Sequence, residues 1–327
     1  MELIGEYPLA GVILFKNDIE GPLELADLTN RIQRISFQRW NRPMIIAVDQ
    51  EGGRVSRLRE PFTQFSGMEE LGARPDGAEK VKEYARITAL EMRLVGLNMN
   101  LAPVLDVRRG EAEDHLRGRT VSGSPVQGGV GGIHIIKTMQ SQKVWCVGKH
   151  FPGLGKAKKD PHSHEVRIPC SMGELEEVDL VPFNMAIKAG VCGIMTSHAI
   201  YDCIDPDLPA TFSGGVIGIL RKEFGFDGII ITDDLLMGAV TSKWEVHEAV
   251  FNAIGAGHDM VIISRQERIP QEVLMRLSSG DPGDERLREK LKRARKNLQG
   301  IFGCIAADFR FSDAKEVIDY FHLDRLL

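Results

Sequence analysis

Three short stretches hold most of the residues able to do chemistry. In "GKHFPGLGKAKKDPHSHE" (residues 148–165), Asp160 lies two positions before His162, with His164 two further on. An imidazole needs a partner to fix its tautomer and tune its pKa near neutrality. An aspartate turned back along a loop supplies one, and the resulting dyad is a general acid/base. The same residues have ligand spacing, with Asp160, His162 and His164 as a possible metal set, and a merely solvated polar loop is the plain third reading. Asp233 and Asp234 end the apolar run "GIIIT". At such a junction one carboxylate can act as a nucleophile while the other caps the following helix. Lys149 and His150, side by side after another apolar run, can donate hydrogen bonds to neutral polyols. Asp49, in "AVDQEGGRVSRL", can accept bonds from ligand hydroxyls, and Arg54 or Arg57 can pair with Glu51.

Elements must exist to hold these groups together. Seven apolar, β-branched runs recur: 11–15, 43–49, 98–107, 143–151, 190–198, 226–234 and 257–264. Their apolar residues are successive rather than alternating, as in strands buried on both faces of a parallel sheet. Amphipathic segments intervene. Residues 77–96 carry apolar side chains at helical spacing and end at Gly96. The segment 171–190 opens with Ser171 and Glu174 in capping-box spacing, and Pro182 should kink or delay its helix. Polar residues follow so many strands (Asp49, Asp106, Lys149, Ser197, Asp233) that they predict the active rim of a (β/α)8 barrel rather than the single crevice of a doubly wound sheet. Only ten residues precede the first run, so the barrel is expected to be incomplete or atypical at its N-terminal strand. The expectation is one catalytic barrel domain over residues 1–327, with the core at about 11–305 and a helical tail at 306–327. "GGVGG" (128–132) lacks the rest of a phosphate loop and reads as a helix start.

The bulk properties narrow the class. A chain of 327 residues with 43% hydrophobic content can bury a barrel core, and a net charge of −5 gives no basic face for nucleic acid. No run approaches the ~18 residues that span a bilayer, and no secretory leader pattern is seen. Five scattered cysteines without a CxxC pair argue against a disulfide framework, with Cys146 and Cys192 read as buried thiols. Together these suggest a cytoplasmic protein with no membrane partner, of undetermined oligomeric state.

"AVDQEGGRVSRL", "NMNLAPVLDV", "GRTVSGSP", "KHFPGLG…DPH", "MTSHAIYDCIDPDLPATFS" and "LRKEFGFDGIIITDDLLMGAV" occur in this order over about residues 11–265. Together they resemble glycoside hydrolase family 3 of the single-domain β-N-acetylhexosaminidase type. The resemblance implies a TIM-like barrel and a retaining mechanism without cofactor or metal. The substrates it implies are non-reducing terminal β-N-acetylglucosaminides, such as cell-wall muropeptide fragments. By motif position Asp233 would be the nucleophile and His162, paired with Asp160, the acid/base. Asp49, Arg57, Arg119, Lys149 and His150 would hold the sugar. A histidine on a glycine- and proline-rich loop would arrive with the substrate as the loop closes. Three features depart from the family. The helix and strand usual before "GVILF" are absent, the loop after "DPH" is longer, which leaves His164 as the alternative acid/base, and "PGLG" stands for the commoner "PGHG". The competing readings are a metal-dependent barrel hydrolase, a sugar-binding protein without turnover, and transfer to phosphate instead of water.

Overall fold

Burial on both faces dictates the architecture. The computed structural model describes residues 1–109, 114–161, 163–265, 269–280 and 283–323. In chain order its strands are β1 (Gly11–Leu14), β2 (Ile45–Val48), β3 (Gln50–Gly52), β4 (Val55–Ser56), β5 (Met99–Asn100), β6 (Trp145–Phe151), β7 (Arg167–Ile168), β8 (Gly193–Thr196), β9 (Ile200–Tyr201), β10 (Asp205–Pro209), β11 (Ile229–Asp234) and β12 (Met260–Ile262). The seven apolar runs become one all-parallel sheet in the order β1-β2-β5-β6-β8-β11-β12. Side chains alternate across it. Ile45, Ala47, Met99, Val147, Met195, Ile229 and Ile231 meet on one face in a core that Ile301 and Ile305 of the helix Glu285–Ala307 also join. Ile46, Val48, Cys146, Ile194 and Ile230 face the outer helices, which cover the other side. Among the described residues the result is the curled seven-stranded sheet of a (β/α) barrel, one strand short of eight.

The barrel is open between β1 and β12, which end the sheet and do not pair with each other. An apolar cavity of about 890 Å³ lies there, lined by Val12, Ile13, Met99, Ile231 and Ile262 among others. β1 and β12 are accordingly less buried than the central strands β2 and β8. Before β1 lies the short helix Glu2–Glu6.

Local signals are realised with one shift and one correction. The helix Gly77–Leu94 ends before Gly96, which takes φ +77°. Ser171 caps the helix at Met172, accepting from the Glu174 amide, and the turns before Pro182 widen into a π-helix at Leu175–Asp179. A proline lacks the N–H of the regular ladder, and a wider turn absorbs that loss. The glycines of "GGVGG" lie within the helix Pro125–Ser141, where Gly129 meets Met185 and Gly132 meets Leu105 closely. The tail is helical at Ala314–Phe321.

The expectation of unpaired cysteines is wrong for two of them. Cys170 and Cys203 form a disulfide with Cα atoms 5.6 Å apart. β7 and β9 pair in parallel with Ile168 opposite Tyr201, so the residues two further along each strand come together. Spacing in the chain could not show this, because the register creates it. Cys146 is buried as expected, and Cys192 is partly buried.

Ile194 of β8 is fully buried among the outer-face residues. Ile194→Ala should cost about 2–5 kcal/mol, read as a lower midpoint in urea denaturation with an unchanged slope.

Candidate active site

The polar residues at the strand ends converge on one rim, where two buried charge networks form. The first centres on Glu51, just beyond β2. The turn that carries it is fixed from several sides: Asn100 bonds the Gln50 backbone N–H and C=O at 3.0 and 2.9 Å, and the Gln50 side chain accepts from the amides of Arg57 and Leu58. Tyr84 also donates to the Gln50 carbonyl. Arg119 grips Glu51 with two donors at 2.7 and 2.8 Å, and Lys149 reaches it at 2.7 Å. Lys149 also pairs with Asp49 at 2.7 Å, and Arg57 approaches the other Asp49 oxygen at 3.5 Å. Sequence reasoning paired Glu51 with Arg54 or Arg57; its partners are Arg119 and Lys149. Burial by itself would raise the Glu51 pKa, yet the two cations outweigh it and hold the carboxyl far below the usual range. Burial likewise works against the charge on Lys149 and on Arg119, and the carboxylates reverse that effect in both.

Arg119 spends three donors within the protein, two on Glu51 and one on the His115 carbonyl at 3.0 Å. A guanidinium has about five N–H groups, so a ligand meets only the remainder of this side chain. Asp49, partly exposed and paired on one oxygen with Lys149, faces the opening more directly.

The second network centres on Asp106, a buried carboxylate seen in the sequence as one of the strand-end residues but given no role there. It accepts from the His150 ring Nδ1 at 2.7 Å, from the Leu154 amide at 2.7 Å, and from the His150 amide. The acceptor fixes a proton on Nδ1 and leaves Nε2 as the His150 nitrogen for a ligand. Lys149 and His150 are thereby brought together at one end of β6, each held by a different carboxylate.

Asp233 and Asp234 differ in their surroundings. Asp234 accepts at Oδ1 from the Leu236 and Ser264 amides, both at 3.1 Å, and so caps the turn. Asp233 is partly exposed, and its Oδ1 accepts the Asp234 amide at 2.8 Å. Burial pushes its pKa up, but His150, His198 and that amide prevail and hold it below the ordinary aspartate value. The outcome is a carboxylate kept ionised at the strand end.

The loop carrying Asp160 is docked beside it. Its start is bonded through Leu154 to Asp106, and the Gly155 carbonyl accepts the Arg109 amide at 3.0 Å. A side chain at Gly155 would collide with the Val107 carbonyl, so only glycine allows this approach. Further on, the Pro161 carbonyl accepts the Ala239 amide at 3.3 Å, and Glu165 pairs with Lys243. Ala239 belongs to the helix Gly238–Thr241 that follows the Asp233 strand. Residues near position 162 on both sides therefore contact the βα unit that carries Asp233. His162 itself lies outside the described residues. His164 is exposed, and among the described residues no group of three or more His, Cys, Asp or Glu is arranged to hold a metal ion.

One imidazole near this loop was not foreseen. Both ring nitrogens of His115 are shielded and have no hydrogen-bond partner. Burial lowers its pKa to about 4 against the opposing pull of Asp160 and Asp106. Nothing in "EDHLRGRT" marks it, because its surroundings come from the distant residues 106 and 160.

Glu51→Gln leaves two buried cations short of a counter-charge and should cost about 3–5 kcal/mol at neutral pH. A carboxyl whose folded pKa is depressed contributes stability that is complete above the unfolded value, about 4.3. That contribution fades as pH falls through the folded pKa. Denaturation curves of parent and variant should therefore lie farthest apart near neutrality and converge in acid.

Known proteins place this geometry. Residues 1–296 match the family model described as the glycosyl hydrolase family 3 N terminal domain. The chain is 37% identical over 290 residues to a β-hexosaminidase of Alkalilimnicola ehrlichii, covering 84% of this chain and 79% of that one. Among solved structures, a family 3 β-N-acetylglucosaminidase from Paenibacillus sp. superposes with a TM-score of 0.87 at 31% identity, over 98% of this chain and 63% of that longer one. NagZ from Neisseria gonorrhoeae, solved with N-trifluoroacetyl-D-glucosamine, superposes with a TM-score of 0.76 at 27% identity over 94% and 91% of the two chains. With its motifs, its curled sheet and these relatives in agreement, the chain belongs to glycosyl hydrolase family 3.

Proposed function

We propose that this chain is a retaining β-N-acetylglucosaminidase that releases non-reducing terminal N-acetylglucosamine from cell-wall fragments. The observation that carries the reading is Asp233, a carboxylate held below the ordinary aspartate pKa at a strand end, on the same rim as the buried Glu51–Lys149–Arg119 network and beside the docked Asp160 loop. The N-acetylglucosaminide class is supported by the β-hexosaminidase relatives and by the sugar analogue in the NagZ structure. The muropeptide aglycone rests on the family resemblance alone. Among the described residues, no helix is long and apolar enough to cross a membrane.

In this reading the Asp233 carboxylate attacks the anomeric carbon while His162, oriented by Asp160, gives its proton to the departing oxygen. The same imidazole, now neutral, takes a proton from the water that hydrolyses the glycosyl-enzyme. An imidazole with an ordinary pKa near 6.5 suits both tasks at neutral pH. A retaining enzyme usually uses a second carboxyl group in that role; here Asp160 serves at one remove. Lys149, His150 Nε2, Asp49, Arg57 and the spare donors of Arg119 hold the sugar hydroxyls. Asp49 accepts and the cations donate, so the ring is bound from both senses of hydrogen bond. The scheme needs no metal, since its nucleophile and its proton source are both side chains.

The test is hydrolysis of an aryl β-N-acetylglucosaminide. Asp233→Ala should abolish turnover, and His162→Ala should lower it about 10²–10⁴-fold with a poor leaving group. A chelator should leave the parent unaffected. Retained activity in Asp233→Ala would sink the reading, and activity lost to chelator and restored by metal would favour a metal-dependent hydrolase.

A further inference from the structure

His198 is buried at 2% exposure and appears in no step above, yet it lies beside the nucleophile. The β8–β11 backbone ladder runs from Ile229 to Thr232 and stops one residue before Asp233. On the other side, pairing with β12 is irregular between Ile231 and Asp234. The strand therefore leaves its regular ladder where the reacting carboxylate begins. Beyond Thr232 the contact from the β8 side is made by a side chain: His198 Nε2 lies 2.9 Å from the Asp234 carbonyl oxygen.

A carbonyl only accepts, so Nε2 must carry the proton. At the other edge of the ring, Nδ1 lies 2.6 Å from Thr211 Oγ1, which also lies 2.8 Å from the Ser197 carbonyl. The ring is gripped at both nitrogens and cannot rotate. Asp234 in turn supplies the amide that holds Asp233 Oδ1 at 2.8 Å. The chain of contacts runs from Thr211 through His198 to the Asp234 carbonyl, and from the Asp234 amide to the nucleophilic carboxylate.

We propose that His198 is a positioning residue for the reaction: its Nε2–H clamps the Asp234 carbonyl and so sets the direction in which the Asp233 carboxylate faces the anomeric carbon. The inference rests on the reading of Asp233 as nucleophile. It does not make His198 a catalytic residue, since the ring reaches the reacting atoms only through Asp234. A misaligned nucleophile slows bond formation without loosening the sugar, whose hydroxyls are held by other residues. The loss should thus fall on kcat rather than KM.

The amide of glutamine can occupy the place of Nε2, whereas that of asparagine mimics Nδ1. His198→Gln should stay within about threefold of the parent, while His198→Asn and His198→Ala lower kcat about 10²-fold with KM within about twofold. Thr211→Val, which removes the partner at Nδ1, should lower kcat about fivefold, the worth of one ordinary hydrogen bond. These are steady-state measurements on an aryl β-N-acetylglucosaminide, with circular dichroism confirming each variant folded. Equal kcat across the His198 series, equal loss in all three variants, or a loss confined to KM overturns the proposal. If a His198 variant does not fold, Thr211→Val decides alone, and unchanged kcat there overturns it. Asp233→Ala is run alongside. Activity surviving that change defeats the underlying nucleophile reading, whereas activity lost there with a flat His198 series defeats the clamp alone.

Discussion

The buried carboxylate of Glu51 is the constraint on which the rest of the site depends. It joins three separate parts of the chain: the turn after β2, the end of β6 through Lys149, and the segment before the helix Pro125–Ser141 through Arg119. Each cation is too buried to stand alone, and each carries a second duty, Lys149 to Asp49 and Arg119 to the His115 carbonyl. Removing the central charge therefore does more than delete a contact. It leaves unpaired charge in a low-dielectric interior, where one uncompensated ion is worth several kcal/mol. Asp49, Lys149 and Arg119 inherit their positions from this arrangement.

A second set of bonds ties the Asp160 loop to the strand end that carries Asp233. Asp106 fixes the loop's start and the His150 ring together, while the β7–β9 pairing and the Cys170–Cys203 bridge fix its return. Between these anchors the loop leans on the helix that follows β11. Asp179, beneath this loop, is unusual. Burial raises its pKa to about 6 although Arg109 pairs with it, and one of its oxygens has no partner. Desolvation thus exceeds a close ion pair there, a reminder that proximity to a cation does not by itself secure a charge.

Much of this was legible in the sequence because period and composition report burial directly. All seven strands of the curled sheet among the described residues were evident as apolar runs, since burial on both faces is a local pattern. Strand ends with polar residues located the rim. That one carboxylate of the Asp233–Asp234 pair caps the turn also followed from a local rule. What could not be read was the pairing. Glu51 found Arg119, 68 residues away, rather than a neighbour. Asp106 had no visible role until His150 came to it, 44 residues on. Cys170 and Cys203 met because two short strands aligned, and His198 joined Asp234 across the sheet. Such contacts depend on register, which a linear pattern does not encode.

The central claim is that Asp233 becomes covalently attached to the sugar. An N-acetylated substrate offers an alternative, because its own acetamido oxygen can attack in place of the enzyme, as in substrate-assisted families. The most direct measurement is mass spectrometry of the protein quenched in acid during turnover of an activated, slowly hydrolysed N-acetylglucosaminide. The account predicts one N-acetylglucosaminyl group on the peptide containing Asp233. An unmodified enzyme that nevertheless releases a product of retained configuration would contradict it.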